Sequence, residues 1–466
     1  MPEQGVVSPA RALRLRRWTD RLAGGAPEGA PGGPLERGAE ALAMRSGVGL
    51  AGGLRLSLQA SAMAPGHRLE VLVDGDETFS AMLTAIAAAT RSVDVETYIW
   101  ESDATGHRFA AALAARARAG CKVRCLVDGG GSIASDLGRL FGGLIAAGGR
   151  VAVFHPVGPW RHRWGWTVRD HRKLLLVDGQ VGFAGGINIG NEYAPAHWGG
   201  GKSWHDLHLR VEGPAVRELQ GMFEDAWRYA AGDEERVLPE TPASLPPKPA
   251  APAQFPSPPS VPSVAPPVAP EEALALHGGE QRRPAGLAQV LSVGRRRDRR
   301  FIQRHYQFAC VMARERIWIS CAYFVPNRFW RRTLRKAALR GVDVRILVPR
   351  TNDIPAVHHA SRYTYQPLLD AGVRIFEYLP AMLHAKALVV DGAWAAVGSY
   401  NLDQRSLMYN WEVAVAMVDP AACTRLERQF ELDQKKSREI DPALWPRRGL
   451  QHKLLERFWY VFRLLL

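Results

Sequence analysis

The stretch DHRKLLLVDGQVGFAGGIN, residues 170–188, places a histidine (His171), a lysine two positions on (Lys173) and an aspartate five further (Asp178) ahead of a Gly-rich turn. The intervening LLLV reads as a buried strand, and Asp178-Gly179 as the turn that ends it. In extended chain, residues i and i+2 share a face, so His171 and Lys173 project together. The second half of the chain repeats the pattern. His384, Lys386 and Asp391 stand at the same intervals, as H-x-K-x4-D-x6-G, and the turns read Gly185-Gly186-Ile187-Asn188 and Gly398-Ser399-Tyr400-Asn401. One His-x-Lys pair is a coincidence at a strand end. Two with the same spacing, inside a matched repeat, are not.

The surrounding sequence repeats as well. RERIWISCAYFVPN echoes RSVDVETYIWESD, and LLDAGVRIFEYLP echoes LIAAGGRVAVFHP. In the first copy a strand in HRLEVLVDGDETF leads to a helix over 80–92, a strand over 93–100, a helix over 109–120, a strand over 122–128 and a further helix–strand pair over 137–156. Strands alternating with helices predict βαβ units and a largely parallel sheet, within a duplicated α/β fold whose two copies pack face to face. The expected division is a weakly ordered basic region over 1–66, one copy over 67–237, a linker over 238–284, the second copy over 285–440 and an amphipathic segment over 441–466. The linker follows from thirteen prolines within 239–270, a density that removes amide donors and forbids a core.

A net charge of +14 favours an anionic partner, either nucleic acid or an acidic membrane surface. The five cysteines lack framework spacing and read as core thiols in a reducing compartment. No apolar run reaches 18 residues and the N-terminus lacks a signal-peptide core, so a cytoplasmic protein is expected.

Two histidines, two lysines and two asparagines suit a phosphoryl centre. The lysines and asparagines would hold the non-bridging oxygens, while one imidazole attacks phosphorus and the other protonates the departing oxygen. The lysines supply the positive charge, so neither metal nor cofactor is expected. Asp178 and Asp391 complete the motif that carries the catalytic set, but each begins an Asp-Gly turn, which favours a turn or hydrogen-bond role over direct catalysis.

The paired motifs resemble the HKD motifs of the phospholipase D superfamily. ETYIW, GGINIGNEY, WHDLHLRVEGPAV, LHAKALVVD and VGSYNLDQRSLMYNWEVAV resemble the bacterial cardiolipin synthases within it. The resemblance spans roughly 67–237 and 285–440. It implies duplicated mixed-sheet sandwich domains packed as a pseudo-dimer with one active site between them. It implies His171 as nucleophile and His384 as general acid/base, with Asp206 and Glu412 each orienting the histidine of the opposite half. Asn188, Asn401 and Ser399 are expected to bind substrate phosphate. Gly186 stands where the second copy has Ser399, and so lacks its hydroxyl.

The superfamily includes nucleases as well as lipid enzymes, so the substrate must be read elsewhere. HKLLERFWYVFRLLL at the C-terminus puts Leu454, Phe458, Phe462 and Leu466 on one stripe with Leu455 and Trp459 beside it, which suits a headgroup boundary. The alternative is a terminal helix docked on the protein's own core. The tryptophans of PWRHRWGWTVR (159–169) suit a lipid interface or, alternatively, base stacking. Arginines over 281–300, and RALRLRRWTDRL near the N-terminus, fit an anionic bilayer. These features favour an anionic phospholipid surface, with no nucleic acid partner expected. The resemblance implies phosphatidyl transfer through a phosphohistidine, most simply from one phosphatidylglycerol to another to give cardiolipin and glycerol, at the cytoplasmic face of a bacterial membrane. A phospholipase D-type hydrolase, a nuclease and a non-enzymatic lipid scaffold are the alternatives. His358 and His359 are expected in a loop outside the catalytic set.

Overall fold

The computed structural model describes residues 63–157, 167–198, 204–231, 286–294 and 299–464. The expectations for 1–62, for the Pro-rich interval, for the tryptophans of 160–166 and for the arginines of 282–297 lie outside these residues.

The first half runs β1 (Ala64–Val73), α1 (Asp74–Ala88), β2 (Ser92–Thr97), α2 (Ala104–Arg118), β3 (Lys122–Asp128), α3 (Leu137–Ala146), β4 (Arg150–Phe154), β5 (Leu174–Val177), β6 (Val181–Gly185), β7 (Leu207–Glu212) and α4 (Ala215–Ala231). The second runs β8 (Gly286–Val293), α5 (Phe301–Met312), β9 (Arg316–Cys321), α6 (Arg328–Ala338), β10 (Asp343–Pro349), α7 (Pro355–Tyr363), α8 (Gln366–Leu369), β11 (Arg374–Tyr378), β12 (Lys386–Val390), β13 (Trp394–Gly398), α9 (Gln404–Met408), β14 (Glu412–Val418), α10 (Pro420–Lys435), β15 (Ser437–Glu439) and α11 (Leu450–Val461). Helix α1 starts at Asp74, six residues before the expected Ser80. Asp74, Asp76 and Glu77 fill its first turn, where the helix dipole favours acidic groups, and Glu77 accepts the Val73 amide.

The duplication is visible in the strand order. The first half reads β1-β7-β6-β5-β2-β3-β4 and the second β8-β14-β13-β12-β9-β10-β11, with β15 added at its edge. An antiparallel β1–β8 contact joins them into one sheet. The mixed sheet that the resemblance implied is present, while the largely parallel sheet expected from the βαβ rhythm is corrected: among the described strands only β2-β3-β4 and β9-β10-β11 pair in parallel. The motif strands break the βαβ pattern, because Asp178-Gly179 and Asp391-Gly392 turn β5 and β12 straight back as antiparallel hairpins. All four turn residues take left-handed backbone, which aspartate and glycine tolerate better than most residues.

Three large apolar cores among the described residues hold these layers. One lies outside each half, built around Phe79, Phe109 and Phe141 in the first and Trp330, Leu334 and Tyr365 in the second. The largest is shared: Leu209, Phe223 and Trp227 of one half are buried with Val397, Val415 and Leu426 of the other. Each such side chain contributes roughly 1.5–3 kcal/mol when fully buried, so the shared core binds the halves firmly. All five cysteines are buried free thiols.

Helix α11 is seated by its polar side. Glu456, only 2% exposed, meets Arg362 of α7 and Arg448, and Tyr460 stacks on Tyr363. The apolar stripe faces outward, with Leu454 57%, Phe458 53% and Val461 62% exposed. Trp459, expected beside that stripe, is turned inward with Tyr460 toward Val325 and Val357. His358 and His359 lie on α7, not in a loop.

Candidate active site

Both motif histidines stand just before a strand, at the seam between the halves. Asp170 forms a bridge with Trp411, and the His171 amide donates to the Trp411 carbonyl at 3.0 Å. On the other side of the pseudo-twofold, His205 bridges Leu383, and the His384 amide donates to the His205 carbonyl at 2.7 Å. The residue that follows each crossing point, Glu412 or Asp206, therefore lies behind the histidine of the opposite half.

His171 Nδ1 is 3.1 Å from both oxygens of Glu412. His384 Nδ1 is 2.7 Å from Asp206 Oδ2, with the Tyr193 hydroxyl 3.1 Å and Lys386 Nζ 2.8 Å from the same nitrogen. An ionised carboxylate can only accept, so each Nδ1 carries the proton and each Nε2 keeps its lone pair free. Lys173 Nζ donates to the His171 carbonyl at 2.6 Å, and Lys386 Nζ to the His384 carbonyl.

All these side chains are buried. Burial pushes His171 down to about 4, against the pull of Glu412 and with help from Lys173 and Lys386. His384 is held well below the usual imidazole value by burial, Lys386, Lys173 and His171. Lys173 is lowered to about 7 by burial, and Lys386 is lowered for the same reason. The site is thus poised with neutral imidazoles and a concentration of cationic groups that a phosphodiester anion would relieve.

The two carboxylates differ. Glu412 accepts from His171, Ser399 Oγ, Ser406 Oγ (2.7 Å) and Asn410 Nδ2 (3.2 Å). Burial works against its charge, but His171, Lys173 and the Ser399 hydroxyl outweigh it and hold the carboxyl below the usual range. Asp206 accepts from His384 and the Leu207 amide (2.7 Å), and burial raises it. Ser399, expected to bind phosphate, turns its hydroxyl to Glu412. Its counterpart must be glycine, because a Cβ on Gly186 would lie 2.2 Å from Asp206 Oδ1.

Asn188 and Asn401 are buried beside the histidines. Asn188 Nδ2 donates to the Tyr193 hydroxyl at 3.0 Å, and its Oδ1 accepts the Ile99 amide. Asn401 Oδ1 accepts the Tyr323 amide at 3.4 Å. Asp178 and Asp391 are at the far end of the hairpins and leave the catalytic set. Asp178 accepts the amides of Thr90, Arg91 and Ser92 at 2.7–2.9 Å, which overcome partial burial and hold it down to about 2. Asp391 accepts the amides of Arg314, Glu315 and Arg316. Each pins the start of a neighbouring strand.

Sequence reasoning missed the aromatic wall. Tyr98 meets the His171 ring edge-on at 5.0 Å, while Trp204, Tyr193 and Tyr323 lie 5.3, 5.8 and 6.0 Å from the His384 ring. Tyr98, Tyr193 and Trp204 fall inside or beside stretches that carried the resemblance, which was the available signal. Also missed was a buried ionic group in which His205 Nδ1 meets Asp74 (2.7 Å) and Nε2 meets Asp433 (2.8 Å).

Two imidazoles, each oriented by a carboxylate from the other half and flanked by a buried lysine, are the equipment of a two-histidine enzyme for phosphodiesters. The family model described as cardiolipin synthase, PLD-like domain, matches residues 82–227 and 311–434, and the chain belongs to that family. A probable cardiolipin synthase of Bacillus subtilis is 31% identical over 84% of this chain and 71% of that protein. A cardiolipin synthase of Geobacillus kaustophilus is 34% identical over 83% of this chain and 70% of its own. The crystal structure of a phosphatidylserine synthase from Haemophilus influenzae superposes with a TM-score of 0.62 at 15% identity, covering 85% of this chain and 95% of that one, which establishes the common fold.

Proposed function

We propose that the protein makes cardiolipin by moving a phosphatidyl group from one phosphatidylglycerol to another, with release of glycerol. His384 takes up a proton on Nε2 as the bound phosphodiester anion favours its charged form. His171 Nε2 then attacks phosphorus and the bond to the headgroup oxygen breaks, while His384 delivers that proton to the departing glycerol. A hydroxyl of a second phosphatidylglycerol then loses its proton to His384 and attacks the phosphohistidine, which restores His171. Lys173, Lys386, Asn188 and Asn401 hold the non-bridging oxygens. The observation that carries this reading is the crossed wiring of each histidine to a carboxylate of the other half. The difference between the carboxylates supports the assignment of roles. Glu412, firmly ionised, suits the histidine that becomes a cationic phosphohistidine. Asp206, raised by burial, suits the histidine that exchanges a proton. Incubating purified protein with phosphatidylglycerol vesicles should yield cardiolipin and glycerol. Phosphatidic acid as sole product would make it a hydrolase, and cleavage of DNA in place of lipid would make it a nuclease.

The protein is further proposed to sit peripherally on the cytoplasmic face of a bacterial membrane through α11. Among the described residues no helix is long and apolar enough to cross a bilayer. The outward stripe of α11 supports docking, as do exposed Arg328, Arg332, Arg335 and Lys336 on nearby α6, whose Arg331 lies over Tyr460. Tyr323 packs in the α11 seat and also faces His384, so the docked surface would adjoin the site. Deleting 450–466 should release protein from anionic vesicles and cut turnover on vesicles more than on detergent-dispersed lipid. Unchanged vesicle binding would refute the attachment.

A further inference from the structure

We infer that His205 is a positioning residue: an imidazolium clamped between Asp74 of the first half and Asp433 of the second, which holds the Asp206–His384 pair in its working geometry. Both ring nitrogens of His205 face carboxylate oxygens, Nδ1 at 2.7 Å and Nε2 at 2.8 Å. Ionised carboxylates accept and do not donate, so both nitrogens must carry protons and the ring is cationic. Burial opposes that charge, but Asp433 and Asp74 overcome it and raise the group to about 10. The groups facing the ring are Asp74 at the start of α1, Asp433 on α10, Tyr378 at the end of β11, stacked at 5.3 Å, and Asp206 next along the chain.

Three links run from this clamp to the catalytic pair. Asp74 Oδ1 accepts both the His205 ring and, at 3.0 Å, the amide of Asp206. The His205 carbonyl accepts the His384 amide, and the His205 amide donates to the Met382 carbonyl at 2.8 Å. Displacing the ring would therefore shift Asp206 and His384 together. The fourth contribution is charge. Burial raises Asp206, while Lys386, the Leu207 amide and the nearby histidines, His205 among them, oppose it. Removing the His205 cation makes Asp206 easier to protonate, so the acid-side fall of activity moves to higher pH. In the other half Trp411 occupies the equivalent crossing point and brings no charge.

The inference rests on the two-histidine transfer reading. It is tested on whichever phosphodiester the unmodified protein turns over, so that a wrong substrate and a wrong role for His205 give different results. His205→Gln keeps a donor without the charge. It should lower kcat roughly tenfold or more with little change in KM, the scale of a small misplacement of a catalytic group. It should also move the acid limb upward. His205→Arg, which restores the cation, should recover most of the turnover and return the acid limb. Asp433→Asn, which leaves the Asp74 contact in place, should give an intermediate loss and serves as the decisive variant if His205→Gln does not fold. Independently of activity, 15N-histidine spectra should show one ring still doubly protonated above pH 8, and His205→Gln should remove that signal. Wild-type kcat in folded His205→Gln or Asp433→Asn, equal loss in the Gln and Arg variants, or ordinary titration of His205 would each overturn the assignment.

Discussion

The two places where the chain crosses between its halves share a backbone and differ in chemistry. At one, Trp411 sits against Phe154 and Tyr229 at ring distances of 5.0 and 5.2 Å, with the Arg172 guanidinium 5.0 Å from its ring. At the other, His205 sits between two carboxylates and stacks on Tyr378, which ends β11 as Phe154 ends β4. The hydrogen bonds that deliver each carboxylate to the opposite histidine are matched, whereas the side chains that lock the crossing are not. Duplication fixed the backbone geometry, and each copy then acquired its own environment around a common Nδ1–carboxylate contact. A repeat can thus supply two histidines in equivalent places that perform inequivalent steps.

The sharpest way to break this comparison is to remove the histidines. His171→Ala and His384→Ala should each lower turnover by about a thousandfold or more, and the double variant should be little worse, because groups acting as one unit do not add. His384→Ala should accumulate a lipid-labelled protein by mass spectrometry, and His171→Ala should not. The reverse pattern would exchange the roles. Activity above about a tenth in either would end the single-site reading.

Next come the carboxylates. Glu412→Gln and Asp206→Asn should each cost about 10²–10⁴ in kcat, since each misorients its imidazole. Their stabilities should separate. Glu412→Gln replaces one acceptor oxygen of a carboxylate that serves four donors and should lower the melting temperature more than Asp206→Asn, which does so for a carboxylate that serves two. Equal thermal shifts would erase the asymmetry.

A smaller effect is expected from exchanging the residues at the two turns. Gly186→Ser drives a Cβ into Asp206 and should lower kcat by roughly tenfold through a displaced carboxylate. Ser399→Gly removes one donor from Glu412 and should cost about 1–3 kcal/mol of stability, read by denaturant unfolding, with a lesser effect on kcat.

The mildest test is alkaline pH. His205 is raised to about 10, so the stability it contributes is complete below its unfolded value of ~6.5 and is lost as pH rises through about 10. Amide exchange at 205 and 384 should therefore rise with pH before exchange at 171 and 411. Simultaneous loss would mean that the ionic crossing is no more pH-sensitive than the aromatic one.

Much of this was legible in the chain. The motif spacing located both histidines and lysines, and the alternating apolar run KVRCLVD matched β3 to the residue. The carboxylates behind the histidines were found only through resemblance, since 241 and 178 positions separate those partners. Pattern reading works over one or two turns of chain, and it failed where the decisive contact was distant. Asp433 lies on a helix whose sequence gives no hint that it meets His205. The antiparallel return of β5 and β12 is hidden for a different reason: an Asp-Gly turn fits either a hairpin or the end of a βαβ unit, and the upstream rhythm favours the second. The contact of Ser399 with Glu412 is not legible either, because a hydroxyl near the motif histidines looks the same in sequence whether it faces substrate or a carboxylate.

The crossed wiring also bears on the life of the chain before it is finished. The first half leaves the ribosome with His171 but without Glu412, and with Asp206 but without the imidazole it orients. If His171 is the nucleophile and His384 the proton donor, that nascent half lacks both a fixed tautomer on the first and the whole of the second, and the pair is complete only when the shared core closes. On the proposed roles, synthesis carries its own safety catch: a copy whose halves have not met holds neither imidazole in its working tautomer.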